Sequence, residues 1–160
     1  MLSAREIRQL SPEDKEKFHR EAEARVKPFQ FRIPEGTRPK EIVSLSKSDL
    51  QKINVQVIAD GGENNLHYHT GSDTTWMVLR GKARFYGPGD VMIGEFAQHE
   101  GVFMPGGARY WFEKAGDEPL ELLQMVAYER QPDGEKPQRI NLDAHKDWMQ
   151  EDQLKVYEKN

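Results

Sequence analysis

Between residues 41 and 129 turn signals interrupt the chain at short intervals, which leaves no room for a long helix. They are Gly61-Gly62, Arg80-Gly81, Gly87-Pro88-Gly89-Asp90, Pro105-Gly106-Gly107 and Ala115-Gly116-Asp117. Glycine at such points accepts a positive φ, and proline presets its own φ and withholds a ladder donor. The intervening stretches are β-branched or aromatic, so strands are expected over 53–59, 75–79, 83–86, 101–104, 110–112 and 120–128. Asn54-Val55-Gln56-Val57 and Ala83-Arg84-Phe85-Tyr86 alternate polar with apolar, as strands with one buried face do. Short strands at near-regular spacing predict an all-β antiparallel sandwich or barrel rather than βαβ units.

The flanks read differently. Ser11 is a natural N-cap, Pro12 suits the first helical position, and Glu13 and Asp14 favour the positive end of the helix dipole. This helix is expected to reach residue 25 or 26 and to stop before Pro28. Its apolar content is thin: Phe18, Ala22 and Val26. Residues 29–34 alternate Phe29, Phe31 and Ile33 and end at Pro34, which suits an edge strand. Such an arm would pack across a neighbour's sheet, so a homodimer is expected. After residue 130 a charged, proline-containing link leads to a short helix expected around 142–150. The expected organisation is therefore a helical arm and edge strand over 1–40, a barrel over 41–130, and a tail with a short helix over 131–160. A chain of 160 residues with 36% apolar content suffices for one well-filled core.

Composition narrows the function classes. A net charge of −4 and interspersed charges provide no basic stripe for nucleic-acid phosphates. The chain has no cysteine, which excludes disulfides, thiolate metal sites and a cysteine nucleophile. No stretch approaches the roughly 20 apolar residues that span a bilayer, and residues 1–10 lack a signal-peptide run, so a cytoplasmic protein without a membrane partner is expected. The turn at Gly87-Pro88-Gly89-Asp90 is followed by neither a lysine nor a helix start, so it is not a phosphate cradle.

Chemistry concentrates at His67 and His69. Two residues apart on a strand, side chains share one face with Cα atoms about 6.6 Å apart. Two imidazoles at that spacing can chelate one metal at about 2.0–2.1 Å per bond. The same pair can equally serve as hydrogen-bonding groups in a pocket.

Gly61, His67, His69 and Gly81, with the stretch from Gly71 through Thr75, Trp76 and Arg80, resemble the first motif of the cupin superfamily. Gly101-Val102-Phe103-Met104-Pro105-Gly106-Gly107 with Ala108 to Phe112 resembles the second motif, and the resemblance covers roughly residues 50–128. It implies an antiparallel double-stranded β-helix, the jelly-roll barrel of cupins, with the short helices lying outside it. It also implies a pocket near His67 and His69, and many single-barrel relatives are dimeric. The resemblance departs at the ligand positions. Thr74 stands where the family's glutamate is expected, and Tyr110 where its third histidine is expected. Asp73 is adjacent, but a one-residue shift on a strand reverses side-chain direction.

Three readings of the site follow. In the first, the barrel binds a small molecule, with His67, His69, Thr74, Tyr110 and Gln124 as polar groups and Trp76, Met77, Phe103 and Trp111 as apolar wall. In the second, a divalent metal (zinc, iron, manganese, nickel or copper) on His67 and His69, with Tyr110 as a further ligand, supports dioxygenase-like or other metal-assisted chemistry on a small organic substrate. In the third, a histidine and Tyr110 act as base and acid of a metal-free isomerase or epimerase. Catalytic candidates are thus His67, His69 and Tyr110. Glu63 and Gln124 are held as further groups able to face the pocket. His99 is expected in a surface hairpin turn, and His19 and His145 in solvated helices.

Overall fold

We describe a computed structural model, which covers residues 2–36, 38–129 and 137–142, with the backbone alone of 154–157. The chain divides into two units, 1–30 and 31–160. In the first, α1 (Ala4–Gln9) and α2 (Pro12–Glu23) are amphiphilic turns with no buried residue. Ser11 caps α2 by accepting from the Asp14 amide at 3.1 Å, as its sequence predicts. The helix ends at Glu23, two or three residues earlier than expected, with Ala24 as its C-cap. Helix α1 was not expected, yet Ser3 and Glu6 form a reciprocal capping box there. No regular secondary structure forms over 29–34, so the edge strand predicted there is corrected. Its alternation is real, but among the described residues no strand offers it a ladder, and a lone strand does not persist.

In the second unit the strands are β1 (Lys40–Lys47), β2 (Gln51–Ile58), β3 (His67–His69), β4 (Ser72–Arg80), β5 (Lys82–Tyr86), β6 (Met92–Phe96), β7 (Gly101–Met104), β8 (Trp111–Ala115), β9 (Leu120–Tyr128), β10 (Arg139–Asn141) and β11 (Leu154–Tyr157). Six form one sheet in the order β11-β1-β2-β9-β4-β7, three form β6-β5-β8, and β3 pairs with β10. Apart from the parallel β1–β11 pair, every pairing is antiparallel, as a barrel fed by tight turns requires. Two glycines allow this closure. Gly81 adopts φ +78°, and a Cβ there would lie 2.8 Å from the Pro119 carbonyl oxygen. At Gly101 a Cβ would lie 1.9 Å from the Trp76 carbonyl oxygen, so only glycine lets β7 approach β4 this closely.

The tail is not separate from the barrel: β10 and β11 both join it. Beyond Leu142, the helix expected around 142–150 lies outside the described residues, as does His145. Aromatic side chains fill the interior, with Phe85 and Phe112 fully buried at a ring separation of 5.1 Å and Trp76 5.0 Å from Phe112. Val78, Leu120, Leu122 and Ile58 complete that cluster. Among the described residues no helix is long and apolar enough to cross a membrane.

Candidate functional site

Opposite the aromatic cluster the inward side chains become polar and surround a cavity of about 450 Å³. Part of its wall is β3, where alternation turns Tyr68 away and places His67 and His69 on the cavity side. His67 is held by the main chain: its amide donates to Tyr110 O at 3.1 Å and its carbonyl accepts from Tyr110 N at 2.9 Å. On the other side β10 pairs Arg139 with His69 and Asn141 with His67. The two imidazoles meet edge to face at a centroid distance of 5.1 Å.

The His67 ring is 2% exposed, and its Nδ1 lies 2.8 Å from the Asn65 carbonyl oxygen. A carbonyl only accepts, so the ring proton sits on Nδ1 and Nε2 keeps its lone pair. Burial, then the nearby Arg139 guanidinium, brings the His67 pKa down to about 3. The same two causes bring His69 down to about 4. Both rings are therefore neutral near pH 7.

Positive charge dominates the remaining wall. Lys40, Lys52 and Arg139 line the cavity, against the single carboxylate of Glu63 among the described lining residues. Arg139 stands at the mouth, where its guanidinium donates to Asn65 Oδ1 at 2.8 Å and to Asn141 Oδ1. Lys40 lies deeper, 8% exposed, with Nζ 5.2 Å from the Phe112 ring centroid. Burial, with Arg139 adding to it, brings its pKa down to about 7, while Glu63 acts the other way. Burial in turn holds the Glu63 carboxyl above the ordinary range.

An amide row faces these charges. Gln124 Oε1 accepts from Asn54 Nδ2 at 3.3 Å and from Gln56 Nε2 at 3.2 Å. Asn54 Oδ1 and Gln56 Oε1 stay buried with no hydrogen bond. Unsatisfied buried acceptors cost stability, which makes this wall receptive to a donor.

Of the predicted site residues, His67, His69, Trp76 and Gln124 line the cavity, and so does Glu63. Thr74 and Tyr110 do not: both are buried behind the wall, at 2% and 1% exposure. The Tyr110 hydroxyl accepts from Trp76 Nε1 at 3.3 Å and bonds Thr74, while burial pushes its pKa up to about 12. Three expected wall residues are corrected. Met77 alternates outward from Trp76, Phe103 is exposed, and Trp111 stacks on Tyr86 at 4.4 Å on the far face of its sheet. Asp73 also points away, its carboxylate accepting from the Gly106 amide at 2.8 Å. His99 occupies the β6–β7 turn as expected, with φ +69°. Lys40, Lys52 and Arg139 also line the cavity, as does Gln56, which the sequence places on an alternating strand but not in a site.

For a divalent cation the donor set falls short. Among the described residues no group of three or more His, Asp or Glu side chains converges to hold one. Two neutral imidazoles supply no charge, and Lys40, Lys52 and Arg139 repel a cation. The described residues therefore do not fit a resident divalent metal.

No family model matches the sequence, and no curated protein does. Solved structures do match. A conserved protein with a double-stranded β-helix domain from Klebsiella pneumoniae is 18% identical over 76% of this chain and 93% of its own, with a TM-score of 0.55. An RmlC-like cupin family protein from Methanocaldococcus jannaschii is 16% identical over 66% of this chain and 93% of its own, with a TM-score of 0.54. Oxalate decarboxylase is 16% identical over 69% of this chain, with a TM-score of 0.52, and this chain spans 30% of its length. The described residues thus form a double-stranded β-helix that encloses the polar cavity around His67 and His69. It is the cupin fold, in a single barrel.

Proposed function

We propose that the barrel binds a small organic acid, with Arg139 pairing its carboxylate at the mouth and His67 and His69 as neutral hydrogen-bonding groups below. One observation carries this reading: a guanidinium at the cavity mouth whose described partners are two amide oxygens and no carboxylate. Arginine's planar fork suits a carboxylate through two parallel N–H···O bonds. The two imidazoles add an acceptor at His67 Nε2 and no competing charge. Trp76 and Ile42 contribute apolar wall, and Gln56 supplies a buried acceptor for a hydroxyl of the ligand. This mixture is the usual anatomy of a small-molecule site.

The metal-dependent reading keeps only His67 and His69 as support, since Tyr110 lies behind the wall with its hydroxyl engaged. No observation favours the isomerase reading over the binding one. Calorimetric titration with small mono- and dicarboxylates, beside neutral alcohols of the same skeleton, tests the proposal. Saturable binding of the acids alone supports it, and equal affinity for the neutral alcohols contradicts it.

The homodimer is proposed on a surface other than the arm. Strands β6 and β7 each end their sheet, and Met92, Ile93 and Phe103 on them are exposed, with Val91 beside them. Unpaired edges carrying apolar side chains are poised to pair. Light scattering in solution is expected to give twice 18.5 kDa; a mass of 18.5 kDa contradicts the dimer.

A further inference from the structure

Lys40 is the buried group to which the organic-acid reading assigns no task. It opens β1, with its side chain turned into the cavity and its ammonium facing the Phe112 ring. That ammonium lies 5.2 Å from the Phe112 centroid, and Glu63 is the carboxylate whose charge favours its protonated form. A carboxylate hook is already present at the rim in Arg139, and burying a second cation is costly for a fold. Lysine differs from arginine in that it can give up its proton and become a nucleophile. Desolvation favours that neutral form, and the pKa of about 7 leaves a large share of free amine near neutrality.

We propose that Lys40 forms an imine with the carbonyl carbon of a small 2-oxo acid seated in the cavity. The proposal rests on the organic-acid reading for the grip on the carboxylate. The Nζ lone pair forms the new N–C bond while the C=O π pair moves to oxygen, which takes up a proton. Loss of that oxygen as water then forms C=N, so one amine and one carbonyl become one imine and one water, with no change of oxidation state. Glu63 and the neutral His67 ring lie in the same cavity wall and are the groups available to give and accept these protons.

The test incubates the full chain with pyruvate, glyoxylate or 2-oxoglutarate in cyanoborohydride, then locates the reduced adduct by peptide mass spectrometry. The expected result is an adduct on Lys40, about ten-fold or more above the surface lysines, and suppressed by the matching 2-hydroxy acid. In Lys40→Arg, which keeps a cation but no nucleophile, the signal is lost. The parent map decides the matter even if that variant fails to fold. Calorimetric binding of the 2-hydroxy acids without an adduct at Lys40 overturns the imine and leaves the organic-acid reading standing. Neither binding nor adduct overturns both. Adducts spread evenly over the lysines overturn the imine alone.

Discussion

Along β2 the inward row runs Lys52, Asn54, Gln56, Ile58, and along β9 it runs Val126, Gln124, Leu122, Leu120. At one end these strands meet Phe85 and Phe112 in a dry cluster. At the other they meet His67, His69 and Arg139 around a cavity. The same antiparallel ladder thus carries two chemistries, one optimised for burial and one that buries the Lys40 side chain and leaves two amide oxygens without a hydrogen bond. Burial of that kind lowers stability and persists where a site needs it. The contrast is what separates the binding region from the scaffold that holds it.

If the dry end is the scaffold, Phe85→Ala should be the most damaging change. Phe85 is fully buried against the rings of Phe112, Phe96, Trp76 and Tyr110. A loss of about 3–5 kcal/mol is expected in urea denaturation. A loss below about 1 kcal/mol would remove the distinction between the two ends.

At the wet end the sign should reverse. Lys40 has a folded pKa of about 7, below its unfolded value of about 10.4, so the unfolded chain binds the proton more tightly. The penalty is full below pH 7 and fades as pH rises toward the unfolded value. Lys40→Met should therefore stabilise the fold, on the order of 2–4 kcal/mol at pH 6, and by clearly less at pH 9.5. A destabilised Lys40→Met at both pH values would show that Lys40 is held by partners.

The histidines give a gentler pH response. Their folded pKa values of about 3 and about 4 lie below the ordinary value, so their contribution is complete above about pH 6.5. It is lost as pH falls from there toward about 4 for His69 and about 3 for His67, because the unfolded chain takes up protons first. At pH 4.5 the loss for His67 should be on the order of 2 kcal/mol, with less for the half-buried His69. His67→Asn should flatten the slope; an unchanged slope would place the titrating group elsewhere. Smallest of all, Arg139→Ala should weaken a bound organic acid about ten-fold, or ~1.4 kcal/mol, and leave denaturation nearly unchanged.

The dry end and the turns were readable from residues because their signals are local. The strands predicted over 101–104 and 120–128 match β7 and β9, and the turns at Gly81 and Gly107 carry the positive φ expected of glycine. His67 and His69 announced themselves by two-residue spacing. Lys40 and Arg139 did not, because each reaches the cavity through pairing with a distant strand: β1 through β2, and β10 through β3. Nothing near Arg139 in sequence distinguishes it from a solvated charge. Thr74 and Tyr110 were placed by motif position, and the structure turns their hydroxyls toward each other behind Trp76. The capping box at Ser3 and Glu6 is a local signal, legible in the residues themselves. At 29–34 alternation alone was not enough to make a strand.

The central claim is that this barrel recognises an organic acid through the Arg139 guanidinium, without a metal. Titrating chelator-treated protein with small carboxylates, with and without added manganese, iron or zinc, tests it most directly. The account predicts saturable binding without metal, weakened about ten-fold in Arg139→Ala and unimproved by the added ions. Binding that appears only when a metal is restored would contradict it.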